Sequence, residues 1–267
     1  MTSAVATPTR WKMIYLAKRN PTLAAEDFAQ AWREHAALGK QCTNVRDKVL
    51  GVQQCTRVRN GNSGAEDGGL AGASTEYDGV NLLQLRDLDV ANDIWDDPET
   101  LATMRPDEPR VFSTHVRDFT LVCGEQVLLD APPTGVVVFG FLRRNASISK
   151  SAFDAAWVDG PKEAWLSSPT LKTARRVVHN HVVQTPPEGY EFDGIAEWWF
   201  DNADAARAAF ADSRSAAPAA AAGTANGVVD MRSKTRDLRC QLPAPYSVLV
   251  DLKQSVFMFT EVTHQRP

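Results

Sequence analysis

Three histidines and one tyrosine are the side chains best suited to chemistry in this sequence: His35, His179, His181 and Tyr15. An imidazole changes charge near neutral pH, so it can take a proton from a reacting group and return it. A phenol can orient an oxygen atom of a substrate. These residues predict proton transfer on a small molecule, with His35 and one of His179 or His181 moving the protons.

His35 belongs to a helical pattern. Phe28, Trp32 and His35 recur at positions i, i+4 and i+7, so they share one face of a helix, and the two aromatic side chains turn that face toward the core. A partly buried imidazole in that place suits general acid–base work. A core histidine bonded to a backbone carbonyl fits the same pattern.

The second pair of histidines alternates in the run RRVVHNHVV, which is typical of a strand. His179 and His181 therefore point to the same side, about 7 Å apart. They could share a substrate or lie exposed near the end of the strand. A metal site is not expected, because no carboxylate or cysteine has the spacing of a third ligand.

Several classes of protein have no support in the sequence. It contains no GxGxxG, GxxxxGK[ST], GxSxG or HExxH motif, and its four cysteines form no CxxC pair. The net charge is -4, from interspersed acids and bases, so nucleic acid and anionic membranes are not expected partners. No stretch approaches the length of a transmembrane helix, and we expect a cytoplasmic protein.

The chain contains a duplication. RNPTLAAEDFAQAW, from residue 19, is echoed by RNASISKSAFDAAW, from residue 144. Further blocks match at different offsets: EYDG with EFDG, and Arg117-Asp118-Phe119 with Arg236-Asp237-Leu238. In the first alignment Tyr15 faces Gly140 and His35 faces Gly160, so the two copies should differ in function.

Both copies give the same order of elements. In the first, KMIYLAK is a strand, Thr22 caps a helix, and two strands follow in Lys48 to Asn60 and TEYDGVNLLQL. A helix from Asp89 to Met104 and a closing strand around FSTHVRDFTLV complete the copy.

The second copy repeats this order with GVVVFGFLRR, a helix through Trp157, RRVVHNHVV, EFDGIAEWWF, a helix from Asp204 to Ala211, and VVDMRSKTRDL. The expected units are residues 11–130, residues 135–242 and a strand-like C-terminal extension at 243–267. The extension has no evident counterpart in the first copy, and it could cover a sheet edge or mediate a dimer.

This order is that of the ferredoxin-like β-α-β-β-α-β module, whose sheet carries helices on one face and exposes an apolar surface on the other. Two modules can bury those surfaces against each other. The sequence therefore predicts an α+β fold in which two fused ferredoxin-like modules form an intramolecular dimeric α/β barrel.

The chain resembles the EthD family of dimeric α/β-barrel proteins. The residues that carry the resemblance are KMIYLAKRNP, the pattern Phe28-x3-Trp32-x2-His35-Ala36, the Asn180-His181 pair, and the strand from Asp193 to Phe200. The family implies a role in the breakdown of ethers and aromatics, or cofactor-free decarboxylation, dehydration or cyclisation in polyketide pathways. The sequence departs from the family pattern because Gly160 replaces His35 in one copy and Gly61 replaces His181 in the other.

The resemblance leads to one main hypothesis: a cofactor-independent lyase or cyclase that acts on a small aromatic or polyketide-like molecule. The aromatic side chains predicted to bind the substrate are Phe28, Trp32, Trp157 and Trp198. One alternative is a non-catalytic binding or accessory protein of an ether or aromatic degradation pathway, with structural histidines. A second is a haem or metal oxidoreductase, because some relatives of the barrel fold hold haem. The sequence leaves open whether the chain forms a homodimer.

Overall fold

A computed structural model describes residues 10–59, 66–211 and 237–266. Gly61 and most of the predicted strand VVDMRSKTRDL lie outside these residues. Eight strands are found in the described part of the chain: β1 (Arg10–Ala17), β2 (Val49–Arg57), β3 (Gly79–Leu85), β4 (Thr120–Leu129), β5 (Val136–Leu142), β6 (Arg176–Val182), β7 (Gly194–Phe200) and β8 (Val256–Arg266).

The strands close into one antiparallel barrel in the order β1-β3-β2-β8-β5-β7-β6-β4. Strands β4, β1, β3 and β2 form the first half, and β8, β5, β7 and β6 form the second in the equivalent order. The two halves join where β2 pairs with β8 and where β4 pairs with β6. The predicted α+β fold and intramolecular dimeric α/β barrel are therefore confirmed.

The fourth strand of the second half is β8, which lies in the segment predicted as an extension. β8 pairs with β5 as β4 pairs with β1. An isolated bridge joins Arg144 to Val250 just as one joins Arg19 to Phe112, so residues near 250 correspond to residues near 112. The prediction that 243–267 has no counterpart was wrong, because two short motifs around Asp118 and Asp237 suggested a misleading alignment.

Ten short α-helices are found in the described part of the chain: α1 (Phe28–Leu38), α2 (Thr43–Lys48), α3 (Val90–Asp93), α4 (Pro98–Thr103), α5 (Glu108–Val111), α6 (Lys150–Asp159), α7 (Lys162–Trp165), α8 (Pro169–Lys172), α9 (Ala203–Phe210) and α10 (Ala244–Leu249). Three 3₁₀ turns occur at Arg105–Asp107, Val116–Phe119 and Leu238–Gln241. No helix among the described residues is long and apolar enough to cross a bilayer.

Three predicted boundaries in the first half need correction. Thr22 bonds Asn20 in a turn, and α1 begins six residues later at Phe28. The helix predicted from residue 89 to 104 is broken because Pro98 starts a new helix capped by Asp97. The closing strand begins only at Thr120, since a 3₁₀ turn precedes it.

Matching aspartate–arginine pairs connect the same two chain segments in each half. Asp78 accepts a hydrogen bond from the backbone N–H of Arg19 at 3.0 Å, and Asp193 accepts one from Arg144 at 2.8 Å. Both arginine side chains also form ion pairs with these carboxylates. The repeated aspartates therefore fix the chain where the first strand of each half ends.

The barrel encloses a core of its own, separate from those beneath the helices. Its lumen is mainly apolar, with Ile14, Leu82, Phe139 and Trp199 among its side chains. One polar cluster interrupts it: Lys12 Nζ lies 2.5 Å from Glu125 and 2.7 Å from Glu197. Because Glu197 belongs to the second half, this cluster joins the two halves across the lumen.

Candidate active site

A row of polar side chains crosses the helix-facing surface of the first half. Tyr15 on β1 pairs in register with Asn81 on β3, Asn81 with Gln54 on β2, and Gln54 with His264 on β8. Residues that face each other across neighbouring strands lie about 5 Å apart on the same surface. The four strands therefore align four groups that can donate or accept hydrogen bonds.

A cavity of about 80 Å³ lies between this row and the covering helices. Its walls are mostly apolar, with contributions from Met13, Val45, Leu83, Trp95 and Met104. A cavity of roughly 150 Å³ accepts benzene, so this one suits part of a small molecule that extends toward the surface. Met104 has a flexible side chain that can adapt to a guest.

The polar side chains that line the cavity are Tyr15, His35, Gln54, Asn81, Thr100, Glu108 and Arg266. The first-half residues predicted to be catalytic, Tyr15 and His35, therefore meet at one cavity.

His35 is held by an aspartate that the sequence did not single out. Its Nδ1 lies 3.0 Å from Oδ2 of Asp107, and Arg110 binds both oxygens of the same carboxylate at 2.7 and 3.0 Å. Burial lowers the pKa of His35, and the hydrogen bond to Asp107 opposes this shift. A neutral imidazole whose Nδ1–H donates to Asp107 carries its lone pair on Nε2, the atom that a general base uses.

Tyr15 is oriented as a donor. Trp32 Nε1–H donates a hydrogen bond to the Tyr15 hydroxyl oxygen at 3.1 Å, which leaves the phenolic proton available. Burial raises the pKa of Tyr15, so the phenol stays protonated at neutral pH.

Two buried amide side chains on the polar row have an oxygen atom that accepts no hydrogen bond from the described residues. Gln54 donates from Nε2 to the carbonyl of Trp32, but its Oε1 accepts no bond from the described residues. Asn81 is 1% exposed, and its Oδ1 accepts no hydrogen bond from any described residue. An unpaired buried amide costs about 1–3 kcal/mol, so a ligand that bonds to it would recover that energy.

In the second half, the equivalent row is Gly140, Ala196, His179 and Gln126. The aromatic rings of Trp157, Trp165 and Tyr246 fill the space above it. A Cβ atom on Gly160, the counterpart of His35, would lie 2.8 Å from Trp165 Nε1, so an indole occupies the place that the imidazole has in the first half. The predicted difference between the halves is thus a cavity on one side and packed rings on the other.

His179 is a core residue of this packed half. Its ring stacks on Trp157 with a centroid distance of 3.7 Å, and its Nε2 lies 2.8 Å from the Tyr246 hydroxyl. Burial lowers its pKa to about 3. The side chain is 1% exposed, so it offers no surface to a substrate.

His181 lies further along the same face of the sheet, as its alternation with His179 predicted. It is partly exposed and lines a surface recess with Gln126, Val158 and Lys162. Burial lowers its pKa. Neither His179 nor His181 reaches the cavity that holds His35, so the structure does not bring the predicted histidines of the two copies together in one site.

The four predicted substrate-binding aromatics are packing residues. Phe28 and Trp32 belong to a first-half core cluster with Phe112 and Phe119, and neither lines the cavity. Trp157 and Trp198 belong to the core of the second half. The helical spacing predicted the inward direction of Phe28 and Trp32 correctly, but it could not distinguish the wall of a pocket from a filled core.

A haem does not fit at His179 or at His35. The rings around His179 leave no space for a porphyrin, and His35 faces a cavity of only about 80 Å³. Among the described residues, no group of three His, Cys, Asp or Glu side chains is arranged to hold a metal ion.

Comparison with known proteins identifies a family. The EthD domain matches residues 20–115 and 145–222, one segment in each half. No curated protein matches the sequence significantly. Solved structures that resemble the chain include an anthrone oxidase-like protein at 14% identity (TM-score 0.47; 98% of this chain and 94% of that chain covered). A chlorite dismutase variant from Candidatus Nitrospira defluvii has 12% identity (TM-score 0.45; 96% and 94% covered). Neither similarity bears on the reaction.

Proposed function

This chain belongs to the EthD domain family, and we propose that its first-half cavity is the active site of a cofactor-independent enzyme. The reaction is a proton transfer that leads to decarboxylation, dehydration or cyclisation. The substrate is a small aromatic or polyketide-like molecule. The observation that carries the proposal is the His35–Asp107 pair, which adjoins unpaired polar groups in an otherwise apolar cavity.

His35 acts as the general base. Asp107 holds the tautomer that leaves Nε2 unprotonated, and it stabilises the imidazolium that forms when Nε2 takes a proton from the substrate. Arg110 fixes the carboxylate in turn, and its hydrogen bond lowers the pKa of Asp107. Asp107 therefore remains an anion throughout the proton transfer.

Tyr15 and Asn81 bind the substrate oxygen on which negative charge develops. The phenolic O–H and the amide Nδ2–H are neutral donors from adjacent strands, and a rigid sheet holds them in place before the reaction begins. Donors arranged in this way stabilise an enolate or phenolate better than water does. Gln54 Oε1, which accepts no bond from the described residues, can receive a substrate hydroxyl.

The apolar walls support this chemistry. Met13, Val45 and Leu83 exclude water from the reacting atoms, and a dry site strengthens the interaction of His35 and Asn81 with a developing charge. The same walls favour the flat apolar body of an aromatic ring.

The converging polar groups favour an enzyme over a binding or accessory protein. A pure binding site needs a complementary surface, whereas this cavity combines a pair of hydrogen-bond donors with a base that is itself bonded to a carboxylate. A histidine–aspartate pair that is separate from neutral oxygen-binding groups is typical of an active site that abstracts a proton.

A substrate screen tests the proposal. Wild-type protein is incubated with a panel of monocyclic and bicyclic aromatic ketones, phenols and carboxylic acids, and products are followed by mass spectrometry. Substitution His35→Gln should abolish turnover of any substrate found. His115→Gln is the matched control, because His115 also bonds a carboxylate, Glu108, but does not line the cavity. A His35→Gln variant as active as wild type would contradict the proposal.

A further inference from the structure

Four basic residues surround the outer end of the cavity: Arg33 and Lys40 from α1 and the turn after it, and His264 and Arg266 from β8. They line a small recess of about 40 Å³ that shares Ala36, Val52 and Arg266 with the catalytic cavity. His264 pairs with Gln54, and Arg266 pairs with Val52, so both side chains lie on the helix-facing surface. The basic cluster is therefore the rim of the proposed active site.

The three cations, Arg33, Lys40 and Arg266, and the imidazole of His264 have no acidic partners in the described part of the chain. Arg33 bonds only neutral oxygens, those of Gln30 and Thr263, while Lys40, His264 and Arg266 form no ion pair or side-chain hydrogen bond. Burial lowers the pKa of His264, and Arg33, Lys40 and Arg266 lower it further. The charged side chains that shift the pKa of this imidazole, among the described residues, are therefore all positive.

The cluster is unusual for this protein. The chain has a net charge of -4, and many of its other basic side chains lie beside carboxylates, as Lys48 lies beside Asp93 and Arg143 beside Glu191. Unpaired like charges repel one another, so their grouping at one place is costly unless an anion joins them.

We propose that this rim binds the anionic head group of the substrate, so that the enzyme acts on an organic anion whose apolar body enters the cavity. The inference rests on the proposed function of the cavity. It adds that the substrate carries a carboxylate or a similar group at the end remote from the reacting atoms. A positive rim would both attract such a molecule and fix which end enters first.

The geometry suits an amphipathic ligand. Arg266 lines both spaces, so its guanidinium can pair with a head group while the rest of the molecule lies against Val52 and Ala36. The reacting end then lies deeper, toward His35 and Asn81. Binding energy from the remote head group would position the reacting atoms.

Ligand-observed NMR can test this without a known substrate. Benzoate and benzamide have the same ring and nearly the same shape but differ in charge, and phenyl phosphate shows whether a dianion is preferred. At about 20 mM salt, benzoate should bind roughly tenfold more tightly than benzamide, and the difference should shrink at about 300 mM salt.

The double variant Lys40→Gln/Arg266→Gln should bring the benzoate-to-benzamide ratio close to one. Lys172→Gln/Lys253→Gln removes the same charge from exposed positions of the second half and should leave the ratio unchanged. Tighter binding of phenyl phosphate than of benzoate would support the anionic rim and assign a phosphate head group.

Three outcomes have distinct meanings. Equal binding of benzoate and benzamide by wild type would overturn the anionic substrate while leaving proton transfer by His35 intact. The same conclusion would follow if the Lys40→Gln/Arg266→Gln variant kept the wild-type ratio. Failure of all three compounds to bind would overturn both the inference and the assignment of the cavity.

Discussion

Replacing Lys12 with methionine should destabilise the barrel far more than replacing an exposed lysine. The side chains of Lys12, Glu125 and Glu197 are 8%, 4% and 1% exposed, and the ammonium group holds both carboxylates at 2.5 and 2.7 Å. Methionine fills a similar volume but removes the positive charge. The substitution therefore isolates the electrostatic role of Lys12.

The size of the effect follows from the contacts that Glu125 and Glu197 keep when Lys12 is removed. Glu197 keeps hydrogen bonds from Asn180 and Trp199 at 2.8 and 2.9 Å, but Glu125 keeps only arginine contacts at 3.7 and 3.9 Å. Removing one partner of a buried ion pair costs about 3–5 kcal/mol of unfolding free energy. Lys18→Met is the matched control, because Lys18 and Glu76 form an exposed pair worth about 0–1 kcal/mol.

The loss should depend on pH. Burial, the largest single influence, raises the pKa of Glu197, but Lys12 and the hydrogen bonds from Asn180 and Trp199 together outweigh it and lower the pKa. The wild type therefore gains stability from this group above the unfolded pKa of about 4.3 and loses it in acid. Without Lys12 the pKa of Glu197 rises. In the variant Glu197 therefore contributes to stability in acid, and this contribution is lost as the pH increases. The difference between the proteins should therefore widen from pH 4 to pH 7.

Urea denaturation followed by tryptophan fluorescence measures these free energies. The reasoning would be refuted if Lys12→Met cost less than about 1 kcal/mol at pH 7, the range of the exposed control. It would also be refuted if the loss were independent of pH.

Three further predictions concern the two halves. Asp107→Asn should lower turnover and shift the acid limb of the pH–rate profile to lower pH, because Asp107 opposes the effect of burial on the pKa of His35. Kinetics over a series of pH values would show this shift. An unchanged profile would contradict the role of the His35–Asp107 pair. His179→Ala should cost about 2–4 kcal/mol in a urea titration, since it empties a stacked position, but it should leave turnover unchanged. Gly79→Ala should lower the melting temperature by several degrees, because a Cβ would lie 2.6 Å from the Trp32 ring and 2.7 Å from a backbone oxygen; an unaltered melting curve would contradict this packing.

The repeat made much of the fold predictable. Gly79 and Gly194 sit under Trp32 and Trp157 respectively, and the glycine and tryptophan recur because close packing leaves no room for other residues. The last strand of the second half escaped prediction because pairing partners, rather than local motifs, define it. β8 and its neighbour β2 are far apart in the sequence.

The site was only half predictable. Tyr15 and His35 stood out because their counterparts are glycines, and a difference between copies is a signal that one sequence can carry. Asp107 lies 72 residues from His35 and came together with it only through the fold. Asn81 and Gln54 form no motif with other residues in the sequence, so only their burial with an unpaired oxygen distinguishes them. For His179, the alternating pattern of the strand predicted the correct face of the sheet, but it could not show that aromatic rings cover that face.

The protonation state of His35 tests the central claim most directly. Long-range ¹⁵N–¹H spectra of histidine-labelled protein distinguish the two tautomers and the imidazolium, and the His35→Gln variant assigns the signal. The account predicts a neutral ring at pH 7 with the proton on Nδ1 and a free lone pair on Nε2. A ring protonated on Nε2 at pH 7, as the other tautomer or as imidazolium, would contradict its role as the base.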